Sequence, residues 1–176
     1  MRTEHGDTCP ERKGRKTALR FFGWGLAVAV YLSAAQAAPA LDPHAGYIMV
    51  PEHARDLLRQ CSRATPDKVQ GVWTPSAAQI AELETRLPPA LAQVKPQHHA
   101  GYGRQYGGLV VGGRMFIYIN AFPAGALEDM DKDRTTWAKK ATQQAFTVCD
   151  GGEDFFGALY DPATKTFSDF KFNGFA

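Results

Sequence analysis

The sequence predicts an α+β domain in which N-terminal helices pack on one face of an antiparallel β-meander of about five strands. Two observations carry this. The hydrophobic period is helical between Pro51 and Val94 and switches to two from Arg104 onwards. The strand-like stretches are then separated by turn residues, Gly112-Gly113, Asp150-Gly151-Gly152 and Asp161-Pro162. A helix-capped meander of the cystatin-like kind is the first expectation, and a small β-sandwich or barrel the second.

Residues 1–37 follow the plan of an export signal. Arg12, Lys13, Arg15, Lys16 and Arg20 precede an apolar run from Phe21 to Ala35, and Ala35-Gln36-Ala37 has the small residues of an A-x-A cleavage site. The run falls short of the roughly 20 apolar residues that cross a bilayer. Cleavage after Ala37 is therefore expected, with a retained inner-membrane signal anchor as the alternative, and the protein is expected in the periplasm or outside the cell. Ala38 to Val50 is read as a loose lead, and residues 51–176 as one domain.

Removing the signal changes the charge and the cysteine count. The chain has 20 Lys+Arg and 18 Asp+Glu, and the signal holds six of the bases and three of the acids, so 14 against 15 remain. Nothing in that balance points to nucleic acid. Cys9 leaves with the signal. Cys61 and Cys149 then remain as the expected disulfide in an oxidising compartment, two buried thiols being the other reading.

The first helix is expected from Pro51 to Ala64, with Ala54, Leu57, Leu58 and Cys61 on its buried stripe. A second begins at Thr74-Pro75, or at the capping box Ser76 to Gln79, and carries Ile80, Leu83, Leu87, Leu91 and Val94. Pro88-Pro89 is expected to end or kink it near Leu87, because proline lacks the backbone donor. Strands are expected at 104–111, 114–122, 144–149, 154–160 and 166–172. Residues 123–143 form a polar crossing anchored by Trp137.

If Gly112-Gly113 makes a two-residue turn, Val110 faces Met115, Leu109 faces Phe116, Gly107 faces Tyr118 and Gln105 faces Asn120. One face, with Tyr106, Val110, Met115, Ile117 and Ile119, is assigned to the core beneath Ile80 and Leu83. The other carries Leu109, Phe116, Tyr118 and Phe122 among Gln105, Asn120 and Arg114. So apolar a face must be covered, either by the protein's own chain or by a partner. These seven residues are the candidate binding face.

Chemical motifs are sparse. Asp150, Glu153 and Asp154 read as carboxylates of a solvated turn; a carboxylate hydrolase using Asp150 and Glu153, with His98 or His99, is the alternative. Asp129, Asp131 and Asp133 have the opening spacing of a calcium loop, but Arg134 and Lys140 stand where its glycine and bidentate glutamate belong. His98 and His99 are adjacent and diverge, and His44 and His53 lie in or near the lead, so no metal or cofactor is implied. The glycines of 101–108 lack the strand-before, helix-after context of a dinucleotide loop. Arg104 and Arg114 are left as anion contacts.

The stretches YGRQYGGLVVGGRMFIYINAF, CDGGEDFF, YDPATKTF and FNGFA resemble those of a group of small exported bacterial proteins. The resemblance covers residues 70–176; it implies export and a single domain and brings no activity or site residue. The expected function is a non-enzymatic envelope protein that binds a partner protein, an envelope polymer or a small ligand.

Overall fold

Gly112 and Gly113 both take positive φ, +57° and +75°, a turn whose twist matches that of its strands. They join β3 (Tyr102–Val111) to β4 (Arg114–Pro123) in the expected register, with Gln105 opposite Asn120 and Leu109 opposite Phe116. This hairpin is the centre of the computed structural model, which describes residues 46–95, 101–124, 126 and 134–175. All of these belong to the unit Gln36–Ala176. Residues 1–37, expected to be an export signal, and most of the lead lie outside the described residues, as do His44, His98, His99, Asp129, Asp131, Asp133 and the side chain of Trp137.

Around the hairpin stand β1 (Tyr47–Ile48), α1 (Pro51–Ala54) with a 3-10 turn to Leu58, β2 (Val69–Trp73) and α2 (Ala77–Val94). After it come α3 (Arg134–Ala141), a 3-10 turn at Gly152–Asp154, β5 (Phe156–Asp161) and β6 (Thr166–Phe172). They form one six-stranded sheet. The meander β3–β4–β5–β6 is antiparallel, β2 pairs antiparallel with the turn-proximal half of β3, and β1 pairs parallel with β3 at Gln105 and Tyr106.

α2 begins at Ser76, whose side chain accepts from Gln79 N while Gln79 Oε1 accepts from Ser76 N at 2.9 Å. It does not stop at Leu87 but runs through Pro88 and Pro89 to Val94. Both prolines lie on the exposed side, where water can bond the carbonyls they leave without donors, and the buried stripe Ile80, Leu83, Leu87, Leu91 continues past them. Burying each of these four side chains contributes about 2 kcal/mol. They pack on Tyr102, Tyr106, Ile117, Ile119, Phe156, Ala158 and Tyr160. Val110 is only partly buried and Met115 is 48% exposed at the hairpin tip, so the core face is narrower than the alternation suggested.

The opposite face is closed too. Met49, Ala54 and Leu57 cover Leu109, Tyr118 and Leu159, and Ala141 and Phe146 pack with Phe122, their rings 4.3 Å apart for the Phe pair. The two helices therefore lie on opposite faces of the sheet, contrary to the one-sided arrangement expected, because both faces of the central hairpin are apolar.

Two further expectations are corrected. The first helix does not reach Ala64: it loosens after Ala54 and ends at Leu58, where Gln60 Nε2 and Thr65 Oγ1 satisfy the carbonyls of Leu57 and Leu58 at 3.0 and 2.9 Å. Cys61 consequently lies beyond the helix and is exposed. Residues 144–149 are not a strand. The disulfide between Cys61 and Cys149, Cα atoms 4.9 Å apart, joins two irregular segments and not a helix to a strand.

Candidate functional site

Where a strand was expected, the backbone of residues 141–150 bonds to side-chain amides of the sheet. Gln105 Nε2 donates to the carbonyls of Ala141 and Gln144 at 2.8 and 2.7 Å, and Gln105 Oε1 accepts from Phe146 N at 2.7 Å. Asn120 Nδ2 donates to Phe146 O at 2.8 Å and to Gln105 Oε1 at 3.0 Å. Asn173 Nδ2 reaches the carbonyls of Val148 and Asp150 at 2.8 and 3.0 Å.

Arg63 closes this network. Its guanidinium, buried with the rest of the residue, donates to Asn120 Oδ1, to Asn173 Oδ1 at 2.6 Å and to the Tyr118 hydroxyl at 3.5 Å. All three acceptors are neutral, and among the described residues no carboxylate pairs with it. Gly157 makes room: a Cβ there would stand 2.3 Å from the Tyr118 oxygen and 3.1 Å from Arg63 Nε. Burial pushes the Tyr118 hydroxyl above its ordinary pKa, against the opposing pull of Arg63.

The structure thus places five of the seven face residues, Gln105, Leu109, Tyr118, Asn120 and Phe122, beneath the protein's own chain. Phe116 is half-buried. Arg114 is exposed, stacks over Phe116 at 5.3 Å from the ring centre, and pairs with Asp161. Arg104 is also engaged, holding Glu84 at 2.7 Å and the Tyr106 hydroxyl at 3.1 Å. Tyr106 is raised well above the usual tyrosine range, first by burial and then by the Glu84 carboxylate that accepts its hydrogen bond.

Asp150 and Glu153 both stand exposed. Gly151 and Gly152 do take positive φ, +91° and +58°, but they lead from an irregular segment into a 3-10 turn and not between two strands. Asp154 and Glu153 flank Lys95 Nζ at 3.3 and 3.9 Å. The arrangement is a surface ion cluster. His53 contacts Asp56 at 3.1 Å, and among the described residues no three His, Cys, Asp or Glu side chains converge to hold a metal ion.

An open groove of about 750 Å³ lies between α2 and β6. Arg86, Gln93 and Val94 line it from the helix, and every residue from Lys165 to Lys171 lines it from the strand. Phe167 and Phe170 are half-buried against the main core, while Val94 is 48% exposed. Glu82, beside the groove, is held below its usual pKa first by the hydrogen bond from Lys165 and also by Arg86, at 2.5 and 3.5 Å. Sequence reasoning missed this groove because it joins residues some 80 positions apart whose local patterns are those of any amphipathic helix and edge strand.

Comparison of the chain with protein-family models, curated proteins and solved structures finds no match, so the site is read from its geometry alone.

Proposed function

We propose that the protein is a non-enzymatic binding protein of the bacterial envelope, exported by residues 1–37, that takes its ligand in the groove between α2 and β6. The observation that carries this reading is the groove itself, an open channel that combines half-buried aromatic rings, exposed cations and the backbone of an edge strand. The buried amides of the opposite face are occupied in holding the chain's own segment and are not offered to a ligand. The strand and helix order β2–α2–β3–β4–β5–β6, with α2 laid between neighbouring antiparallel strands, supports a cystatin-like architecture.

The test is site-specific photo-crosslinking in the intact envelope. A photoreactive amino acid replacing Gln93 or Ser168 is expected to give a retarded adduct, and one replacing Lys139 on α3 is expected to give none. Absence of adducts at both groove positions, or equal adducts at all three, overturns the proposal.

A further inference from the structure

Resting on that reading, we infer that the groove takes an extended, acidic peptide segment of another exported protein, added to the edge of β6 as a further strand. A strand turns alternate side chains to opposite faces, so one face alone would contribute every second residue. Here all residues from Lys165 to Lys171 line the groove, so the backbone of β6 as well as its side chains forms part of the wall. Among the described residues β6 pairs only with β5, and its outward N–H and C=O groups have no partner there. Such an edge beside side-chain pockets is the arrangement that binds peptides by strand addition.

The pockets set the sequence class. Phe167, Phe170 and Val94 give the groove its apolar contacts, which suit the apolar side chains of a bound segment. The charges select the remaining residues. Arg86 and Lys165 share the single carboxylate of Glu82, and Lys171 pairs with no carboxylate among the described residues. Asp169 is the other acid of the groove, in contact with Ser168 Oγ at 3.5 Å. Three cations against two carboxylates leave an excess of positive charge along the edge.

A second copy of this chain fits less well. Two copies would bring the same excess of positive charge together along their β6 edges, and like charges facing each other are destabilising.

The probe is an acetylated, amidated hexapeptide of alternating glutamate and valine, titrated into the ¹⁵N-labelled protein purified from the exported fraction. Saturable shifts in residues 86–94 and 165–171 are expected, with amide exchange in 166–171 slowed. A lysine–valine peptide is expected to bind about tenfold more weakly, and Lys171→Glu to narrow that preference. N-methylation of alternate peptide nitrogens is expected to abolish binding. Failure of the glutamate peptide to bind, or binding that leaves β6 exchange or the N-methyl series unchanged, overturns the inference. Polygalacturonate binding in the groove where the peptide fails would overturn the strand addition while leaving the groove proposal standing. Failure of both probes alongside silent crosslinking positions would remove both.

Discussion

Gln105 and Asn120 face each other across the central hairpin, and Asn120 Nδ2 donates to Gln105 Oε1 at 3.0 Å with both side chains buried. The pair is part of the second sheet face, and together the two amides satisfy backbone groups of Ala141, Gln144 and Phe146. A buried polar group left without its partner costs about 1–3 kcal/mol. Gln105→Leu orphans several such groups at once, so a loss of about 3 kcal/mol in urea unfolding is expected. A loss below about 1 kcal/mol would mean that water replaces the amide there.

Arg63 is bonded only to neutral oxygens, so its removal strands three acceptors and no counter-charge. Arg63→Met keeps most of the volume and is expected to cost about 2 kcal/mol, less than the 3–5 kcal/mol of a broken buried ion pair. Denaturant titration of the variant decides between these sizes.

The disulfide closes a separation of 88 residues. In the chain-entropy account such a cross-link stabilises by on the order of 4 kcal/mol. Reduction is expected to lower the melting temperature markedly, and thiol labelling of the unreduced, unfolded protein is expected to leave Cys61 and Cys149 unmodified. Labelling of both residues contradicts the bond.

Burial alone would raise the Asp161 carboxyl, but the amides of Ala163 and Thr164, at 2.8 and 3.2 Å, and the Arg114 guanidinium outweigh it and hold the pKa below its ordinary value. A folded pKa below the unfolded one stabilises above the unfolded value, about pH 4, and that stabilisation is lost as pH falls through the depressed folded value. Asp161→Asn is expected to flatten the acid limb of a stability–pH profile. An unchanged limb would show that other carboxylates set it.

The Tyr160 hydroxyl is buried and without a hydrogen-bond partner among the described residues, and its pKa is raised first by burial and next by Glu82. Removing an unsatisfied buried hydroxyl removes a penalty, so Tyr160→Phe is expected to leave stability unchanged or raise it by up to about 1 kcal/mol. Clear destabilisation in thermal unfolding would reveal a bond made in solution.

The elements that were legible are those whose signals are local. The Gly112-Gly113 turn set the β3–β4 register, and Ser76 to Gln79 set the start of α2. Residues 144–149 misled because their composition suits a strand, while the decision was made elsewhere, by Gln105, Asn120 and Asn173 competing for their backbone groups. β2 was missed because Val69 to Trp73 lacks a clear two-residue period and its pairing with β3 shifts register between Val69 and Gly71. The need to cover the second sheet face was legible from Leu109, Tyr118 and Phe122. Its cover was not, since Leu57 and Phe146 are far away in the chain.

Because Gln105, Asn120 and Asn173 grip residues 141–150 by carbonyls and one amide nitrogen, they recognise that segment as peptide and not by its side chains. Among its exposed positions, Gln143, Gln144 and Thr147 are thereby freed from any duty to the fold. Sequence drift should concentrate there, while the three amides that hold the segment, and the Phe146 and Cys149 that anchor it, stay fixed.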